Sequence, residues 1–227
     1  MEIESGLSSE EMKMHNKEIF KHNTAYENVT RMKFFGVGQY DIPIIRRNDI
    51  DLKQFVSFND IKNCKNPKDF CVHFFLYDYQ FAKVWNRPDV YINMLSKFGC
   101  VCSPDFSTYT DFPKAVQIFN HYKKHWVAAY WQMLGIKVVP SISWGDTSSY
   151  EWCFDGEPTE SVVAVSSVGT QGNKQERLAF LNGYNEMLKR LYPKTIIFYG
   201  AVPEECEGNI VRIGGFQEKF KEIKNGW

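Results

Sequence analysis

The pattern that most constrains this chain is a short apolar run, closed by small or polar residues and followed by helical spacing. Phe98-Gly99-Cys100-Val101-Cys102 stops at Ser103-Pro104 and delivers Asp105, Phe106, Ser107, Thr108 and Tyr109. The same design recurs at 70–76, 161–167 and 195–200. Continuous apolar runs of this length suit strands buried on both faces, as parallel strands are. Further candidate strands lie at 38–45, 54–58, 137–144 and 210–213, with Pro140 an awkward residue for a central strand.

Seven or eight short strands, with helical segments between the later ones, predict an α/β fold with a mainly parallel sheet. A count near eight favours an irregular or distorted (β/α) barrel over an open sheet. The early connections are too short for regular β/α units, so the irregularity is expected in the first half. The most regular helix is expected from about Lys114 to Leu134, with Phe119, Tyr122, Trp126, Tyr130 and Met133 as its apolar stripe and Gly135 at its end. Asp111 or Thr110 can cap it. A second helix is expected over 175–191. Pro88 splits the helical pattern between Phe81 and Leu95. Residues 1–30 read as a polar N-terminal helical arm, and 31–227 as one barrel-like domain ending in a charged helix.

Charge and composition exclude some functions. Lys plus Arg and Asp plus Glu are both 27, whereas a protein that coats nucleic acid by neutralising phosphates carries a basic excess. No run of about 18 apolar residues is present, and the N-terminus lacks the apolar core of a signal peptide, so a cytoplasmic protein without a membrane partner is expected. The six cysteines show no C-x-x-C spacing and read as small core residues.

In a parallel barrel, function collects where strands end and the following loops begin. That rule selects Asp41, Asp78, Asp105, Ser107, Trp144, Asp146, Ser167, Tyr199 and Arg212. Asp78 and Asp111 also suit helix caps. Asp105 suits either a catalytic carboxylate or an Asx turn closing its strand. Trp144 suits a stacking platform for a base or sugar, or a roof over the barrel. Gly169-Thr170-Gln171-Gly172 and Gly214-Gly215 join a strand to a helix start, where backbone N–H groups and the helix dipole favour an anion. Ordinary glycine turns look the same. His121 and His125 have metal-capable i, i+4 spacing. Lys123 and Lys124 beside them oppose a dication, so a solvated or partner-facing edge is expected and no metal site is assigned. His73, inside an apolar run, reads as a core histidine. The sequence names no cofactor.

The series Val72-His73-Phe74-Phe75-Leu76-Tyr77-Asp78, Trp85-Asn86-Arg87-Pro88, Ser103-Pro104-Asp105-Phe106-Ser107 and Ser143-Trp144 resembles the domain of unknown function numbered forty-four seventeen. That family is found in bacteria, phages and other mobile elements, and the resemblance spans about residues 30–205. It implies a phage or mobile-element context and brings no activity with it. A more distant, architectural likeness is to barrels of the tRNA-guanine transglycosylase type, although their zinc-cysteine cluster is lacking here.

Two functions are carried forward from these readings. In one, a hydrolase or transferase site at the barrel mouth takes a phosphate-bearing ligand, a nucleotide or nucleic-acid end. Asp105 would be its base or nucleophile, with Asp78 and Asp41 assisting and Ser107, Trp144, Gly169, Gly172, Tyr199, Gly214 and Gly215 holding the ligand. In the other, the protein binds without catalysis, engaging a host, replication or defence factor or sequestering a nucleotide.

Overall fold

The most apolar runs require cover on both faces, which suits parallel strands. The structure is a computed structural model and describes residues 28–51 and 54–214. The chain divides into two compact units, 1–34 and 35–227. In the first, Asn28–Thr30 forms a 3₁₀ turn; the rest of the expected N-terminal arm, the final charged helix and Gly215 lie outside the described residues.

In the second unit, the expected first strand is instead a hairpin. β1 (Gly36–Val37) pairs antiparallel with β2 (Ile42–Pro43), and the turn between them carries Asp41 in a left-handed conformation at φ 50. β3 (Gln54–Ser57), β4 (Phe70–His73), β5 (Cys100–Cys102) and β6 (Val138–Val139) then form a parallel sheet in sequence order. A second parallel sheet contains β7 (Val162–Ser166), β8 (Thr195–Tyr199) and β9 (Ile210–Ile213). The two join at Ser141 and Ala164, where Ile142 N donates to Ala164 O at 2.7 Å and Ala164 N to Pro140 O at 2.8 Å. Pro140 is tolerated because β6 ends at the residue before it.

The parallel α/β expectation holds; of the expected irregular or distorted barrel, no closure is found among the described residues. Among the described residues no ladder joins β9 to β3. The series is nevertheless curled. In a flat sheet the four inter-strand steps from β4 to β8 would span about 19 Å. Yet the rings of His73, at the end of β4, and Tyr199, at the end of β8, have centroids 5.0 Å apart, and Phe75 stacks on Tyr199 at 5.1 Å. His73 is buried there, as expected of a core histidine.

The helical pattern around Pro88 resolves into three short helices, α1 (Asp78–Phe81), α2 (Lys83–Asn86) and α3 (Ile92–Leu95). α4 (Lys114–Met133) is the long helix, entered from Pro113 without a side-chain cap, so neither Thr110 nor Asp111 caps it. α5 (Lys174–Leu191) is capped by Asn173, whose Oδ1 accepts from Glu176 N at 2.9 Å.

Of the stripe expected on α4, only Trp126 is fully buried. Phe119 and Met133 are exposed, while Gln117, Asn120, His121, Lys124 and His125 are buried. Apolar residues still line another side, where Trp85 meets both Phe119 and Trp126 edge-on. α4 is therefore covered on two sides, and its polar stripe points inward. Beside it, Ile142, Trp152, Val163, Phe180, Tyr184, Met187 and Phe198 form a core cluster. Cys71, Cys100, Cys102 and Cys153 are buried free thiols, as expected, whereas Cys64 and Cys206 are half-exposed.

Candidate functional site

β4, β5 and β6 are neighbours and parallel, so the segments that follow them emerge side by side at one edge of the sheet. These segments carry Asp78, Asp105 with Ser107, and Ser143. Asp78 opens α1 but is not its cap, a position held by Tyr77. Its carboxylate reaches across to the neighbouring segment instead. Ser107 N donates to Asp78 Oδ2 at 3.1 Å and Ser107 Oγ donates to Asp78 Oδ1 at 2.8 Å. From below, Asn120 of α4 donates to Ser107 O at 2.6 Å. Ser107 is thus fixed from both sides.

Asp105 sits beside this clamp, half-buried. Burial pushes its carboxyl up to about 7; the Lys124 ammonium opposes that, the nearby Asp78 charge reinforces it, and a hydrogen bond from Ser143 favours the ionised form. Asp78, bonded to Ser107, and Asp105 thus lie on adjoining segments of one rim, and the charge of one acts on the other. A carboxyl poised near neutrality can both accept and return a proton, which suits general acid–base work. The strand ends are locked by paired serines: Ser141 N donates to Ser103 Oγ at 2.7 Å, and Ser141 Oγ to Ser103 O at 2.8 Å.

The other selected residues divide into those on this rim and those with structural roles. Tyr77, Tyr79 and Tyr109 flank the carboxylates in sequence and are 70%, 79% and 55% exposed, and Tyr77 stacks on Tyr79. They were not selected from the sequence, although their places beside Asp78 and two residues beyond Ser107 were the available signal. Trp144 is half-buried and packed against Phe180 and against Gly183 of α5. Tyr199 is buried between Phe75 and His73. Asp41 occupies the hairpin turn, where its charge acts on Tyr122 rather than on Asp105.

Gly169 has φ +81 and open space around the position a Cβ would take. Gly172 lies beside the Glu176 carboxylate, which weakens that end of the loop for an anion. Gly214 is half-buried. Asp146 caps the 3₁₀ turn Thr147–Glu151, accepting from Ser148 N at 2.9 Å. Ser167 Oγ donates to Ala201 O at 2.6 Å, and Arg212 Nε to Gly200 O at 3.1 Å.

Beneath the rim lies a buried polar cluster that overturns the solvated reading of His121 and His125. Both rings are buried, 4.3 Å apart between centroids. Lys124 is 1% exposed and donates to Glu157 Oε1 at 2.7 Å and Ser141 O at 2.8 Å. His125 Nε2 lies 3.0 Å from the same Glu157 oxygen. Burial alone would raise the Glu157 carboxyl, but Lys124 and His125 together hold it below the usual range. Burial, with the charges of His125 and Lys124, holds the His121 ring well below its ordinary value, so it is neutral near pH 7. The signal for this cluster was the inward period of Gln117, Asn120, His121, Lys124 and Ala128, hidden by the apolar residues on the helix's other side.

This architecture defines a mixed α/β protein with parallel sheets and a carboxylate pair at adjacent strand ends. The chain belongs to the family described as Domain of unknown function (DUF4417), which matches residues 34–217. It is similar to the Gene 1 protein of Mycobacterium phage L5, 35% identical over 174 residues covering 75% of each chain. It is also similar to the Gene 1 protein of Mycobacterium phage D29, 30% identical over 203 residues covering 87% of this chain and 75% of that one. No solved structure matches the chain. Among the described residues no helix is long and apolar enough to cross a membrane.

Proposed function

We propose that this phage-family protein is an enzyme of the hydrolase or transferase type, acting on a phosphate-bearing ligand such as a nucleotide or nucleic-acid end. The observation that carries the reading is the convergence of Asp78, Asp105, Ser107 and Ser143 at the ends of three adjacent parallel strands. Asp105 takes the proton from an attacking water or hydroxyl and returns it to the leaving group. Asp78 holds Ser107 and keeps the Asp105 carboxyl from ionising early. The exposed Tyr77, Tyr79 and Tyr109 offer stacking surface for a base or sugar at the mouth. The open Gly169 loop, before the N-terminus of the 18-residue α5, supports a place for phosphate.

The same tyrosines favour a second reading, a protein that binds a nucleotide or another protein without turnover. A panel of nucleotides and 5′- or 3′-phosphorylated oligonucleotides, each with and without divalent metal, separates the two. Binding is followed by calorimetry and products by mass spectrometry. The enzyme reading expects turnover with a rate midpoint near pH 7, and Asp105→Asn should abolish it while binding persists. Binding without turnover in the wild type supports the second reading. Turnover unaffected by Asp105→Asn refutes the assignment of Asp105, and failure of every phosphate-bearing compound to bind refutes the ligand class.

A further inference from the structure

The buried cluster below the rim does a different job. His121, Lys124 and His125 lie at i, i+3 and i+4 on α4, so they share one face. Glu157 meets them from the segment before β7. A ring nitrogen of each histidine and a carboxylate oxygen of Glu157 lie within 4.8 Å of one another, all buried.

Each histidine is engaged at one nitrogen by a backbone carbonyl. His121 Nε2 is 3.2 Å from Asp155 O, and His125 Nδ1 is 2.8 Å from Pro43 O. A carbonyl only accepts, so both of these nitrogens carry the hydrogen. In the neutral His121 ring the lone pair then falls on Nδ1. His121 Nδ1 is buried with no hydrogen-bond partner, and so is Glu157 Oε2. His125 Nε2, the ring nitrogen not turned to a backbone carbonyl, faces Glu157 Oε1 at 3.0 Å. Such N–H to carbonyl contacts are the outer-shell arrangement that orients metal-binding imidazoles.

The geometry points to a buried site for a divalent first-row transition metal of the zinc class, held by His121 Nδ1, His125 Nε2 and Glu157. Donor atoms around such an ion lie about 3.3 Å apart, so the present cluster closes on it by small side-chain movements. Lys124 opposes a cation, but its ammonium is already engaged by Glu157 Oε1 and Ser141 O. Two further carboxylates share the local field: Lys124 acts on Asp105, and His125 acts on Asp155.

Gly156 keeps the space open. It has φ +74, and a Cβ there would stand 2.5 Å from Pro43 O and 2.8 Å from His125 Nδ1. With ligand side chains essentially unexposed, no substrate reaches the ion. It acts structurally, tying the β1–β2 hairpin, α4 and the segment before β7 together.

The test uses the full, tag-free chain produced with added zinc. Elemental analysis and native mass spectrometry should find one metal per chain after desalting. Chelation should lower Tm by about 5–10 °C at metal levels that had been near 100 times Kd, and zinc should restore it. Cobalt reconstitution should give weak visible bands without the strong near-ultraviolet absorption of a thiolate ligand. His121→Ala should lose the equivalent of metal, while the double variant Cys64→Ser with Cys206→Ser should keep it. A wild-type chain that stays metal-free with an unchanged Tm, a thiolate-type cobalt spectrum, or full metal retention in His121→Ala would each overturn the site. Should His121→Ala fail to fold, the wild-type metal content and cobalt spectrum still decide.

Discussion

Replacing Asp105 by asparagine should stabilise the protein, and only above a particular pH. The carboxyl is carried from its ordinary 3.8 to about 7, chiefly by burial. The folded state therefore binds this proton more tightly than the unfolded chain does. Below about pH 4 both states are protonated and the contribution of Asp105 is fully present. As pH rises, the unfolded chain releases the proton first, and stability falls by up to about 1.4 kcal/mol per pH unit. Above pH 7 both states are ionised and no further loss occurs. The whole difference corresponds to about 4 kcal/mol, and solvent that still reaches this half-buried group reduces it to about 2–4 kcal/mol.

Asparagine keeps the shape and an acceptor oxygen for Ser143 but cannot ionise, so it escapes this loss. The measurement is urea unfolding of wild type and Asp105→Asn in a buffer series from pH 4.5 to 8.5. The stability gap should widen in favour of the variant from about pH 4, level off above about pH 7, and appear as about 4–16 °C in Tm at pH 8. Titrating groups that do not interact with Asp105 cancel in the difference. A gap independent of pH, or a variant less stable than wild type at pH 8, would refute the reasoning. A carboxylate that costs stability at working pH is a pattern functional sites retain and a purely structural turn would not.

Lys124→Met should destabilise by about 3–5 kcal/mol, because it leaves the buried Glu157 carboxylate short of its closest counter-charge. By contrast Arg177→Ala, at the exposed pair with Glu205, should cost less than about 1 kcal/mol, and chemical denaturation of both variants checks the contrast. Gly183→Ala should cost about 1–3 kcal/mol and alter tryptophan emission, since the added Cβ falls inside contact distance of the Trp144 indole. Removal of the α5 cap by Asn173→Ala should cost about 1 kcal/mol, read as a Tm loss of about 2–4 °C.

Strand positions were legible because burial on both faces leaves a nearly context-free mark. Runs such as Phe70–His73, Val162–Ser166 and Thr195–Tyr199 contain almost nothing polar, and each forms a parallel strand. Closure left no such mark. Whether a parallel series closes depends on the pairing of its first and last strands, here β3 and β9, and neither edge carries a residue pattern that specifies a partner. The hairpin at 36–43 was missed for a related reason. Its paired strands are two residues each, too short for alternation to register.

The carboxylate rim was legible for the opposite reason, since it depends only on strand order and direction. Once β4, β5 and β6 are parallel neighbours, the residues just past their ends must converge, and Asp78, Asp105 and Ser143 do. The polar cluster below it could not be read by the same logic, because amphipathic spacing assigns the polar face of a helix to solvent. α4 breaks that assignment because it is covered on both sides: Trp85 occupies the apolar face, and the curled sheet occupies the face that carries His121, Lys124 and His125. A helix whose apolar residues exceed one stripe while a second, polar stripe keeps helical period has two partners to satisfy. In this chain the second partner is Glu157 together with the strand-end carbonyl of Ser141, so Lys124 bonds directly to the strand that supplies Ser143 to Asp105. The long helix thereby holds the rim in register from beneath, and the charges it buries are part of what sets the Asp105 proton near neutrality.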